Sequence, residues 1–138
     1  MRVLGPGTAQ LLGGLLAGAL ALPVLGQPAL PTGDAQRGRE IVADRQRGFC
    51  LLCHSGPFPE ERFQGNLGPS LAPTVPARVA PRVRAQLAEP SLFNPETIMP
   101  RYGLPSLGTR IHPQFAGQVL LQASEIDDVV AFLMTLQP

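Results

Sequence analysis

Apolar residues fall into blocks with different spacing along the chain. Residues 11–25 form an uncharged run interrupted by Gly13, Gly14, Gly18 and Pro23. Further on, Ile41 and Val42 stand within a polar stretch that starts after Asp34, whose carboxylate suits the free N–H groups of a first helical turn. This pattern predicts a helix over 35–45, with Ile41 and Val42 inward and Gly48 as the break. Pro81 opens a second short helix over 82–89, with Val83 and Leu87 inward and Pro90 as its stop. Ile126, Val129, Val130, Leu133 and Leu136 recur at helical spacing behind Ser124, with Asp127 placed to complete a capping box. Between these blocks lie loops rich in Pro and Gly, and residues 103–123 show no clear period. No βαβ pattern is visible, so the fold class is all-α, with three to four helices.

Composition adds a constraint. The chain of 138 residues has no Trp, one Tyr and six Phe, against 16 Pro and 15 Gly. Such a domain is short of apolar side-chain mass, and a bound apolar group would supply it. The run 11–25 follows Arg2 and ends in Val24-Leu25 just before Gly26, which suits a cleaved export signal over 1–26. It is shorter than the roughly 20 apolar residues of a membrane span, although an uncleaved anchor is the alternative. Residues 27–33 then form an extended lead-in, and 34–138 a single domain. Every basic residue is Arg. Without Arg2, ten Arg face ten acidic residues, and this balance argues against nucleic acid or an anionic membrane as a general partner. The arginines 37, 39, 45 and 47 read as a solvated basic face, with Arg82 and Arg84 also outward.

The chemistry is concentrated in Cys50-Leu51-Leu52-Cys53-His54. Two cysteines with two residues between them and a histidine directly after are the attachment signature of c-type haem. One helical turn lets Cys50 and Cys53 reach two vinyl groups of one flat ring and carries His54 beneath the iron as proximal ligand. A zinc site would need a fourth donor, for which only His112 remains, and a thioredoxin-like pair would need a strand before it. Haem is the better reading, and it agrees with export. No cysteine is then left for a structural disulfide.

A neutral imidazole that binds iron through Nε2 needs an acceptor for its Nδ1–H. A carbonyl near Pro69, in the loop Gly65-Asn66-Leu67-Gly68-Pro69, is the candidate. For the sixth position the candidate is Met99, in a loop fixed by Pro95 and Pro100, because a thioether ligand favours ferrous iron. Met134 sits in the last helix. His112 as ligand, or an open site, are the alternatives.

The order of parts resembles class I cytochrome c over nearly the whole exported chain. The loop 65–69, the segment Asn94-Pro95-Glu96-Thr97-Ile98-Met99-Pro100 and the stretch 125–136 are more closely similar to the SoxX family, the small cytochrome subunits of bacterial SoxAX sulfur-oxidation complexes. The Pro-rich stretch 73–81 departs from that family's usual middle segment. The resemblance implies covalent haem on Cys50 and Cys53, with His54 and Met99 as axial ligands. It also implies a heterodimer with a SoxA-type cytochrome that carries the reactive site. There thiosulfate is oxidatively coupled to a cysteine of the SoxYZ carrier, and electrons pass through this haem to a downstream cytochrome. The residues themselves carry the reading as far as an exported one-electron protein. A free diffusible carrier is the second hypothesis, and a gas sensor from which Met99 detaches is the third. A permanently bound subunit should expose an apolar patch near the haem edge, and a diffusible carrier a ring of charge.

Overall fold

The computed structural model describes residues 33–71, 79–105 and 112–136. The expected export signal and lead-in lie outside the described residues, apart from Gly33. The described residues form four α-helices: α1 Ala35–Ala43, α2 Cys50–Cys53, α3 Ala80–Ala88 and α4 Ala123–Thr135. Short 3-10 turns occur at Pro90–Leu92 and Pro113–Phe115, and there is no strand among the described residues. None of these helices is long and apolar enough to cross a membrane.

The fold is organised by the crossing of α1 and α4. Asp34 caps α1 as its position suggests, accepting from the N–H groups of Gln36 (2.8 Å) and Arg37 (3.1 Å). Gly38 is buried where the two backbones touch, and a Cβ there would overlap the carbonyl oxygen of Asp128. Ile41 and Val42 from α1 meet Ile126, Val129, Val130 and Leu133 from α4 in one core. Phe58 closes it from the side, edge-on to Phe132 with ring centroids 5.7 Å apart. The helical stripe of α4 is therefore what anchors the chain.

Several boundaries differ from the sequence reading. Helix α1 ends at Ala43, because Asp44 turns extended and its carboxylate accepts from the N–H groups of Gln46 and Arg47. Helix α3 starts at Ala80, one residue before Pro81, which sits in the first turn where its missing N–H costs nothing. Helix α4 is capped by Gln122 and Glu125, rather than Ser124 and Asp127; the Glu125 carboxylate accepts from the Gln122 N–H at 2.7 Å. That register releases Asp127 and Asp128 for other partners.

The expected basic face is open to solvent at Arg37, Arg45 and Arg47, and its arginines also make specific pairs. Arg37 pairs with Asp128 and Asp34, Arg39 with Glu60, Arg47 with Glu125, and Arg84 with Asp127 at 2.6 Å. Arg39 additionally covers the Phe58 ring at 4.9 Å, as Arg82 covers Phe93 at 4.9 Å. Arg45 donates to the Phe63 carbonyl at 2.7 Å. These arginines fasten loops and helix ends together, a job that helical periodicity does not reveal.

Candidate functional site

Helix α2 is a single turn, Cys50 to Cys53, with His54 as its C-cap and the His54 N–H returning to the Cys50 carbonyl at 2.8 Å. Phe49 enters it with φ 57°, a left-handed conformation rare for a bulky residue. The loop 65–71 then zips back along this turn. Gly65 donates to the Leu51 carbonyl (2.9 Å), Gly68 to that of Cys53 (2.8 Å) and Leu71 to that of Ser55 (2.6 Å). This register brings the Pro69 carbonyl 2.6 Å from His54 Nδ1. Gly68 packs against the imidazole so closely that a Cβ would strike the ring. The ring orientation is thus set by a hydrogen bond on one atom and backbone contact on its edge.

Two adjoining cavities, about 320 Å³ and about 500 Å³, open beside this turn. Cys50, His54, Pro69, Met99 and Tyr102 line both, and Cys53 lines the larger. The smaller has apolar walls from Val42, Leu71, Val83, Leu87, Val129 and Leu133. Met99 is partly buried against the core, and its N–H donates to Thr97 Oγ1 at 3.1 Å. Met134 also packs on the core but lines neither cavity. His112 is exposed at the start of the second 3-10 turn, where its Nδ1 accepts from the Gln114 N–H at 3.3 Å, and it too lines neither cavity.

Neither Cys50 nor Cys53 is in a disulfide. Burial pushes the Cys50 thiol up to about 11. At neutral pH it is a protonated thiol, the reverse of the lowered thiolate of a thioredoxin-type pair. Burial likewise raises the Tyr102 phenol, whose hydroxyl donates to the Gly48 carbonyl at 2.6 Å. Tyr102 is the residue that sequence reasoning missed. A lone aromatic after a Met-Pro loop has no periodic signal, and only its place in the fold shows its use.

The donor set fits a c-type haem. Two thiols sit on one helical turn, an imidazole already has an acceptor for its second nitrogen, and a thioether lines the same apolar-walled cavities. The fold is that of class I cytochrome c. Within that class, one chain of the crystal structure of SoxXA from P. pantotrophus is similar over 77% of this chain and 83% of that one, with a TM-score of 0.69 and 28% identity. This likeness supports a SoxX-like subunit, in agreement with the loops quoted above. No family model and no curated protein matches.

Proposed function

We propose that this chain is the haem-bearing electron-transfer subunit of a SoxAX-type complex. Cys50 and Cys53 would hold the haem through thioethers, and His54 and Met99 would be its axial ligands. Bound there, the haem supplies a one-electron Fe(III)/Fe(II) couple. The Pro69 carbonyl would fix the His54 ring with Nε2 left for the metal, and the walls from Val42 to Leu133 give the site an apolar lining. With both axial positions taken by side chains, electron transfer is favoured over substrate binding. The observation that carries this reading is that His54 and Met99 line the same two cavities as Cys50.

The complex would work in the periplasm, with the chain exported by residues 1–26. A SoxA-type cytochrome would form the heterodimer and carry the site that couples thiosulfate to a cysteine of SoxYZ. Electrons would then leave for a downstream cytochrome. Support for a bound partner, rather than free diffusion, comes from the similar solved chain, which belongs to a structure of SoxXA.

Affinity purification from the native periplasm tests the assignment. Co-elution of a second c-type cytochrome, with thiosulfate-dependent reduction of this haem, is expected. Recovery as a lone monomer indifferent to thiosulfate would refute it.

A further inference from the structure

We infer that Tyr102 is a positioning residue for the sixth ligand: its phenol ties the Met99 loop to the turn that enters the attachment helix. The inference rests on the haem reading above and goes beyond its ligand set. Tyr102 lies three residues after Met99 and is only 3% exposed. Its hydroxyl crosses 54 positions of sequence to reach the Gly48 carbonyl, two residues before Cys50. Its backbone is held as well. The N–H donates to the Leu87 carbonyl at the end of α3 (3.1 Å), and the carbonyl accepts from the Leu121 N–H (3.0 Å). One residue thus joins α3, the segment before α4 and the turn before α2, while lining both cavities beside Met99.

Among the described residues, the other bonds of the Met99 loop do not reach the segment 48–54. Met99 itself is bonded to Thr97 within the loop, and Arg101 pairs with Glu89 beyond α3 at 3.2 Å. Among the described residues, the phenol is the side-chain hydrogen bond that connects the loop to the turn before α2. Attachment of the haem would strengthen its claim on the carbonyl. The Cys50 thiol donates to the same Gly48 oxygen at 3.3 Å. When the thiol adds across a vinyl double bond, sulfur bonds one carbon and the thiol hydrogen goes to the other. The S–H donor is consumed without any net oxidation, and Tyr102 remains as that carbonyl's side-chain donor. Loss of the phenol then leaves a buried carbonyl unpartnered and lets the Met99 loop move away from α2.

The test is titration of the ferric holoprotein with imidazole, which competes with a thioether for the iron. Tyr102→Phe should keep the covalent haem and bind imidazole about fivefold or more tightly, the equivalent of one lost hydrogen bond. In a Met99→Ala background, where no thioether is left to position, the same change should have no effect. Val130→Ala, which opens the α4 core away from both cavities, should lower stability yet keep the wild-type imidazole affinity. Equal affinities for Tyr102→Phe and wild type would overturn the inference, as would equal tightening by Val130→Ala. A wild-type protein with covalent haem but no Fe(III)–S absorption band would sink the Met99 assignment itself, and with it any positioning role.

Discussion

The Arg37 guanidinium grips the buried carboxylate of Asp128 with two nitrogens, Nε to Oδ2 at 2.9 Å and one terminal nitrogen to Oδ1 at 3.0 Å. The N–H of Asp34 adds a third bond to Oδ1 at 2.6 Å. The cap of α1 and the second turn of α4 are therefore fastened by one side chain. Because α4 also carries Val129 and Leu133 into the smaller cavity, this clasp holds a wall of the proposed haem site.

The clasp makes stability depend on pH in a defined direction. The hydrogen bond from Arg37 holds the Asp128 carboxyl below its ordinary range in the folded state. A lowered folded-state pKa contributes stability that is fully present above the unfolded value of about 3.9 and is lost as pH falls through the folded value. Asp128→Asn should cost about 2 kcal/mol in urea unfolding at pH 7, given a charge-assisted bond that Arg37 leaves partly open to solvent. The gap to wild type should close as pH drops below about 4. A gap that stays constant with pH would show that the charge is irrelevant.

Gly38 faces the same crossing from the backbone side. A methyl group there meets the Asp128 carbonyl oxygen, which is main chain and cannot swing aside. Gly38→Ala should destabilise the holoprotein by about 2–3 kcal/mol, a typical cost of overpacking, although alanine is the better helix former. Unchanged or raised stability in denaturant unfolding would mean that α1 and α4 do not approach this closely.

How much of this was legible in the sequence follows from the kind of signal each residue gives. The stripe from Ile126 to Leu133 was readable because burial on a helix imposes a period, and Asp34 because capping is local. The turn Cys50–Cys53 shows in the sequence as a short spacing, and the structure sets Met99 on the cavities beside it. The loop 65–69 was readable as a candidate acceptor, and the structure puts the Pro69 carbonyl against His54. The Arg37–Asp128 clasp, 91 positions apart, and the Tyr102–Gly48 bond, 54 apart, leave no local trace. The Gln122–Glu125 cap was missed because a better N-cap residue, Ser124, lies two residues on.

Haem should count as part of the core. Two cavities with largely apolar lining open beside the buried apolar set, and a porphyrin seated there would bury that lining. The double variant Cys50→Ala, Cys53→Ala should therefore lose several kcal/mol relative to the haem-loaded protein and show reduced helical circular dichroism. An identical unfolding midpoint for the two proteins would remove the porphyrin from the folding account.

Gly68 is expected to matter through His54 alone. A Cβ at this position pushes on the imidazole and breaks its contact with the Pro69 carbonyl. Gly68→Ala should weaken histidine ligation about tenfold, as changes behind a metal ligand commonly do. Acid titration of the ferric spectrum measures this, with about tenfold less acid needed to displace the ring. A wild-type titration curve would mean that the loop does not hold the imidazole.

Spectroscopy of the chain, produced with a complete c-type maturation system, tests the haem centre most directly. The purified protein should carry one covalent haem with an Fe(III)–S absorption band, and Met99→Ala should abolish that band while the haem stays attached. Colourless protein would contradict the haem site itself, and a band that survives Met99→Ala would place the sixth ligand elsewhere.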